Sequence, residues 1–203
     1  MEEKTIKVEQ TNCMPIGFAG TTVCFIFSTL CFLFWGNLTG RFPKDATLAM
    51  GCVQLGVVIA YHLCSAKVIN TGDSFNGNIF MVFSAFFGGV GGLNNVVAGL
   101  AQTYGWNYDG YLMGYVWILC GLFLLMILPA CLKDPVLVFI LYAIFGVALI
   151  ILGLVIIGIL PGSLSPVVGW MLFAGGVMGL YMTANGMLGF AGINVPMGPP
   201  IKK

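Results

Sequence analysis

Residues 135–160 read PVLVFILYAIFGVALIILGLVIIGIL and contain no charged side chain. A helix of roughly 20 apolar residues crosses the hydrocarbon core of a bilayer, so this stretch predicts a transmembrane helix. Five further stretches are free of charge over a comparable length, namely 13–36, 46–66, 77–102, 111–132 and 166–192. The sequence therefore predicts an all-α, polytopic membrane protein with six transmembrane helices.

The composition of the chain agrees with this prediction. Its 203 residues include eight Lys and Arg and seven Asp and Glu, hydrophobic residues make up 59%, and the mean hydropathy is +1.01. These values lie outside the range of soluble domains. We expect a tail over 1–12, a six-helix transmembrane domain over 13–192 and a second tail over 193–203. Six spans with short connections leave no room for a soluble catalytic domain.

Lys and Arg are distributed unequally between the two predicted sides of the membrane. One side has only Arg41 and Lys44, and the other collects six basic residues, Lys4, Lys7, Lys67, Lys133, Lys202 and Lys203. Basic residues accumulate in short cytoplasmic loops. The count therefore predicts a protein of the plasma membrane with both termini, and both tails, in the cytoplasm.

Glycine, of which the chain has 29, occurs in the predicted spans at helix-packing spacing. Gly175 and Gly179 lie four residues apart, a spacing that lets transmembrane helices approach closely. The run GGVGG at 88–92 weakens a helix and is followed by Asn94 and Asn95. Such a run predicts either a broken helix that lines a cavity or simply tight helix packing.

The chemistry available inside the predicted spans is neutral. No Asp, Glu, Lys or Arg lies within them, which removes the usual groups of proton relays and coupled pumps. The polar side chains there are one imidazole, that of His62, which serves as a hydrogen-bonded interface residue or a proton shuttle, and otherwise mainly hydroxyls, amides and phenols, among them Gln54, Ser84, Asn94 and Tyr181. A pathway lined by such groups suits a small neutral or weakly charged solute better than a metal cation.

Several classes of protein are disfavoured by what the sequence lacks. Its seven cysteines form no CxxC pair and no Cys/His cluster, so no metal site, cofactor or disulfide framework is predicted. No nucleophile–base pair is visible, which argues against an enzyme. No P-loop follows a predicted strand, which argues against ATP-driven transport by this chain itself.

The segment 12–18, NCMPIGF, resembles the NPAPLGL signature of the acetate uptake transporter family, the succinate–acetate permeases. The resemblance extends over most of the chain. GDSF at 72–75 is similar to the family's GNTF, Leu132-Lys133 to its LK hairpin, and 169–181 to its last helix. The chain differs at Cys13 and Met14, where the family has Pro and Ala, and it lacks a Glu that bacterial members carry soon after the Tyr of the last helix.

This resemblance implies a homohexamer with a pore in each protomer that conducts acetate and related short monocarboxylates, and possible transport of succinate. At the start of the first helix, backbone N–H groups and the positive end of the helix dipole would face the carboxylate. The substrate-binding or anion site implied in this way comprises Asn12, Pro15, Gly17, Ser84, Asn94 and Tyr181. The hydrophobic constriction of the family's pore corresponds to Thr21, Phe83 and Phe145.

Two other functions stay open at this point. A urea or short-amide channel accounts better for the neutral lining and the missing Glu, and urea flux above acetate flux would indicate it. A membrane interaction protein without conduction would use the same glycine-packed helices, and intact oligomers without solute flux would indicate that function. We expect a facilitator with weak ion coupling or none.

Overall fold

A computed structural model describes residues 17–43 and 45–202, with the side chains of residues 17 and 18 left undescribed. Over this range the chain forms seven α-helices: α1 (Gly17–Leu38), α2 (Ala46–Asn70), α3 (Ser74–Phe83), α4 (Gly91–Tyr104), α5 (Tyr111–Ile127), α6 (Val136–Ile156) and α7 (Ser165–Phe190). A π-helix over Ser84–Val90 joins α3 to α4 without a break. Short 3-10 turns over Ala130–Lys133 and Gly162–Leu164 precede α6 and α7.

The predicted all-α architecture is confirmed, because every regular element of the described residues is a helix, apart from one isolated β-bridge. The helices α3 and α4 and the π-helix between them form one 31-residue span over Ser74–Tyr104. Within the described residues, five helical spans are long and apolar enough to cross a membrane, and α5 is a shorter apolar helix of 17 residues. At 1.5 Å per residue, α5 is about 25 Å long. The predicted helix 111–132 was therefore too long at its C-terminal end. Pro129 lacks the backbone N–H that would continue the helical ladder.

Close packing of the helices depends on glycine. A Cβ added to Gly121 in α5 would lie 2.5 Å from the carbonyl oxygen of Gly146 in α6, so these two backbones touch. The same holds between α7 and α1, where a Cβ added to Gly176 would lie 3.2 Å from the Cβ of Cys31. Gly179 also faces α1, with the Ser28 side chain directly above it. The sequence prediction of glycine-mediated packing is thus confirmed for α7.

The glycine run 88–92 packs against α2 and does not break the helix. A Cβ added to Gly88 would lie 3.2 Å from Val58, and one added to Gly92 would lie 3.0 Å from the Cβ of Gln54. The helix instead widens into the π-turn just before and within the run. Such π-turns interrupt the regular ladder and are frequent at functional sites.

Candidate functional site: a vestibule, an inner cavity and an aromatic seal

A cavity of about 360 Å³ opens at one end of the helix bundle. We call it the vestibule. Its walls come from α1, the ends of α2 and α3, the start of α6, α7 and the C-terminal segment, and its lining is Gly20, Thr21, Cys24, Val68, Asp73, Asn76, Phe80, Asp134, Pro135, Val138, Met182, Asn185, Gly186 and Met197. This end of the bundle carries Lys67 and Lys133, the side predicted to face the cytoplasm.

The mouth of the vestibule is acidic. Asp73 is the N-cap of α3, and its two carboxylate oxygens accept hydrogen bonds from the Asn76 backbone N–H at 3.0 Å and from the Asn76 Nδ2 at 2.9 Å. Such a cap satisfies donors that the first turn of a helix leaves free. Burial, and then the negative charge of Asp73, raise the pKa of the Asp134 carboxyl above its ordinary value. Among residues 17–43 and 45–202, no Lys or Arg lines the vestibule.

A smaller cavity of about 30 Å³ continues from the vestibule toward the middle of the bundle. We call it the inner cavity. Cys24, Phe80 and Met182 belong to the walls of both cavities, so the two lie next to each other. The inner cavity has room for about two water molecules. Its walls carry no charged side chain, and their polar groups include the phenols of Tyr61 and Tyr142. The Tyr142 hydroxyl donates to Asn76 Oδ1 at 3.2 Å.

The inner cavity ends at a cluster of packed rings, which we call the aromatic seal: Phe27, Phe34, Phe83, Phe87, Trp117 and Phe145. Phe145 lies at its centre, with ring centroids 4.9 Å from Phe27, 5.4 Å from Phe83 and 5.6 Å from Phe87. Phe87 and Phe145 are 0% and 2% exposed. Rings packed this closely leave no space for a hydrated passage between them.

Gln54 of α2 connects the seal to polar side chains beyond it. Its Nε2 donates to the Phe87 carbonyl oxygen at 2.5 Å, and its Oε1 accepts from Asn95 Nδ2 at 2.6 Å. The network continues through Asn94, whose Nδ2 donates to Asn95 Oδ1 at 3.3 Å and whose Oδ1 accepts a short hydrogen bond from the Tyr108 hydroxyl. Gln54 is 0% exposed. A polar chain thus runs from the backbone of the seal toward the opposite end of the bundle.

The structure brings together two of the three predicted constriction residues, Phe83 and Phe145. Thr21, the third, is buried in the vestibule wall beneath Gly186, away from the seal. Phe27 takes the position beside Phe145 that was expected for Thr21. The spacing of four residues between Phe83 and Phe87 places both rings on one helix face, a signal that would have added Phe87 to the prediction.

The predicted anion-site residues do not form one group in the described structure. Asn12 and Pro15 lie outside the described residues, as do Cys13 and Met14 of the signature. Gly17 is the first residue of α1, one turn before Gly20 in the vestibule wall. A role of these residues in anion binding stays a prediction.

The other three predicted residues are separated from one another. Ser84 is buried, and its hydroxyl donates to the Val58 carbonyl oxygen at 3.3 Å. Asn94 lies in the polar chain beyond the seal, and Tyr181 lies on the outer face of α7 at 37% exposure. None of the three is among the residues that line the vestibule or the inner cavity. Within residues 17–43 and 45–202, no group of His, Cys, Asp or Glu side chains is arranged to hold a metal ion.

Comparisons with known proteins indicate the fold of the chain. No protein-family model and no curated protein sequence matches it. Among solved structures, the chain is similar to the bacterial acetate channel SatP, with a TM-score of 0.72 and 17% identity over 85% of this chain and 93% of that one. That neighbour is a channel, in agreement with the expectation that the chain is not an enzyme. The comparison confirms the family resemblance at the level of structure: the chain is a multi-pass membrane protein with the fold of the bacterial acetate channel SatP.

Proposed function

We propose that the chain is a passive channel for acetate and related short monocarboxylates. The observation that carries this proposal is that the vestibule, the inner cavity and the aromatic seal follow one another through the bundle, within a fold shared with an acetate channel. The walls of the inner cavity are apolar apart from phenol and thiol groups and have no charge. An acetate methyl group is compatible with such walls, and the phenols of Tyr61 and Tyr142 can donate hydrogen bonds to its carboxylate.

The pathway belongs to a single chain, since α1, α3, α6 and α7 of the same protomer line both cavities. This supports the proposal of one pore in each protomer of a homohexamer in the plasma membrane, with the vestibule facing the cytoplasm. The neutral walls of the inner cavity favour weak ion coupling or none, because coupled carriers use ionisable groups inside the membrane. Whether succinate also passes depends on how far the seal opens. Native mass spectrometry tests the proposed homohexamer, for which the mass of six chains is expected.

The acidic mouth favours a second candidate function, a urea or short-amide channel. Asp73 and Asp134 repel a carboxylate anion approaching the vestibule, whereas they leave a neutral amide unaffected. The carbonyl oxygen and N–H donors of urea also match the mixed hydroxyl and amide groups of Asn76, Tyr142 and Asn185.

Uptake of labelled solutes into proteoliposomes at alkaline pH separates these functions. Little neutral acetic acid is present at that pH, so acetate flux above that of protein-free liposomes passes through the protein. Acetate flux well above urea flux supports the monocarboxylate channel, and the reverse order supports the amide channel. If neither solute crosses while the oligomer is intact, the chain is a non-conducting interaction protein.

The anion site is tested separately in the same assay. We expect Asn12→Ala to lower acetate flux well below wild type without loss of assembly, because the resemblance implies that its side chain is a donor of the anion site. Asn78→Ala is the matched control, since Asn78 is exposed on α3 and bonds only the Ser74 carbonyl oxygen within its own helix. Equal acetate flux in both variants would remove Asn12 from the proposed site.

A further inference from the structure

The C-terminal residues 193–202 fold back over the vestibule instead of leaving the bundle. Three backbone hydrogen bonds hold them to the start of α6 and the turn before it: Val136 N–H to the Pro199 carbonyl at 3.2 Å, Leu137 N–H to the Met197 carbonyl at 3.4 Å, and Lys202 N–H to the Leu132 carbonyl at 2.9 Å. Pro135 and Pro200 form an isolated β-bridge. The segment thereby occupies N–H groups that the first turn of α6 would otherwise leave free.

Side chains of α7 hold the same segment from the other side. The Tyr181 hydroxyl donates to the Pro196 carbonyl oxygen at 2.6 Å, and Asn185 Nδ2 lies 2.7 Å from Met197 Sδ. Prolines at 196, 199 and 200 restrict the backbone and so reduce the entropy lost when the segment docks. The segment is therefore tied to both α6 and α7, the two helices that flank the vestibule.

Met197 is the part of this segment that reaches into the pathway. It lines the vestibule, and on its other side it lines a surface groove of about 350 Å³ over Leu137, Val177 and Tyr181. Met197 is half-buried, whereas its neighbours on the segment are mostly exposed. Met197 is the residue that the vestibule and groove linings have in common. Displacing it would open the vestibule sideways between α6 and α7.

We propose that residues 193–202 are a strap that closes the side of the vestibule and restricts access to the pathway. Nearly all residues of the strap are exposed, and segments with few buried contacts open most readily. Tyr181, expected from the resemblance to bind substrate, is in this proposal an anchor of the strap. The effect of the strap on transport depends on the proposed channel function, whereas its effect on access to the vestibule does not.

Gly198 makes a sharp test of the strap possible without shortening the chain. Its backbone has φ +83°, and a Cβ added there would overlap the Val136 side chain. We therefore expect Gly198→Ala to displace the strap. Gly40→Ala is the matched control, because Gly40 has φ +67° and open space around it. A chain that ends after Gly192 removes the strap altogether.

Cys24 reports access to the vestibule independently of transport. It lines both the vestibule and the inner cavity, whereas Cys31 on the same helix is 0% exposed and lines neither. The protein in nanodiscs is treated with a cationic, membrane-impermeant methanethiosulfonate reagent, and each cysteine is quantified by peptide mass spectrometry. The minor state of a two-state element is populated at roughly 0.1–10%, so removal of the strap should accelerate Cys24 labelling about tenfold or more.

The proposal expects faster Cys24 labelling in the shortened chain and in Gly198→Ala, an unchanged rate in Gly40→Ala, and no labelling of Cys31 in any of them. Wild-type rates in both strap variants, with unlabelled Cys31 showing that the fold is intact, would overturn it. Acetate uptake is measured on the same samples. Faster Cys24 labelling without any acetate flux upholds the strap and refutes the channel. Acetate flux with unchanged Cys24 labelling upholds the channel and refutes the strap.

Discussion

Gln54 is the residue whose replacement tests the interior of the structure most directly. It is fully buried and joins α2 to the π-helix through the Phe87 carbonyl and to α4 through Asn95. Leu has a similar size and no polar atoms. Gln54→Leu therefore removes both hydrogen bonds with little change in packing volume, and it leaves the Phe87 carbonyl and the Asn95 amide without this partner.

The size of the effect follows from these two bonds. An interhelical hydrogen bond in a membrane protein contributes about 0.6 kcal/mol on average and about 1.7 kcal/mol at most. A buried polar group that loses its partner costs about 1–3 kcal/mol. The bonds of Gln54, at 2.5 and 2.6 Å, are shorter than the usual N–H···O range of about 2.7–3.2 Å. We expect Gln54→Leu to lower the free energy of unfolding by about 1–3 kcal/mol.

Ser65→Ala is the matched control for this measurement. Ser65 is buried in the same helix, but its hydroxyl donates to the Tyr61 carbonyl one turn earlier, a group that is already within the helical ladder. Loss of that bond should change stability little. Unfolding is followed by sodium dodecyl sulfate titration in mixed micelles. If Gln54→Leu lowers the free energy of unfolding no more than Ser65→Ala does, the reasoning is refuted, because the hydrogen bonds from α2 to the seal then contribute nothing to stability.

Three further outcomes are expected. Phe145→Ala should raise the proton leak of proteoliposomes above that of the control Phe173→Ala, which removes a ring that lies outside both cavities and the seal. Equal leaks would show that Phe145 does not close the pathway. Because the pKa of Asp134 is raised, the folded protein binds the Asp134 proton more tightly than the unfolded chain does. Wild type should therefore lose stability relative to Asp134→Asn as the pH rises from the ordinary pKa of 3.8 through the raised pKa. A stability difference that is independent of pH in thermal unfolding would contradict that assignment. Gly121→Ala should reduce the yield of folded protein on size-exclusion chromatography, because the added Cβ meets the Gly146 carbonyl. Gly56→Ala is the control: Gly56 has open space around it, so the substitution should stabilise α2 by about 0.5–1 kcal/mol. Two variants that behave alike would refute this packing.

The sequence by itself determined the number and approximate positions of the spans. A bilayer offers no partner for an unpaired backbone group, so each uncharged run of sufficient length has to form a helix within itself. This local rule located the spans that became α1, α2 and α6. It failed only at an end of α5, where Pro129 interrupts the ladder.

The composition of the pathway was predictable in part. Phe83 and Phe145 were expected from the resemblance and meet in the structure, whereas Phe27 replaces Thr21 beside them. Asp73 and Asp134 lie in two different connections, and their shared position at the mouth of the vestibule depends on how the helices pack. A pattern within one helix shows which face a residue occupies, but it does not show which residue of another helix will oppose it.

Only the tertiary structure decided the contacts that control the pathway. Gln54 meets Phe87 across 33 residues of sequence, and the π-helix at that point lies directly against α2, where a Cβ added to Gly88 would be 3.2 Å from Val58. Residues 193–203 were expected to form a tail, yet carbonyl groups within 193–202 accept hydrogen bonds from the first N–H groups of α6. In both cases a backbone group of one segment forms a hydrogen bond with a segment far away in sequence. Local helix propensity therefore cannot predict which two segments will pair.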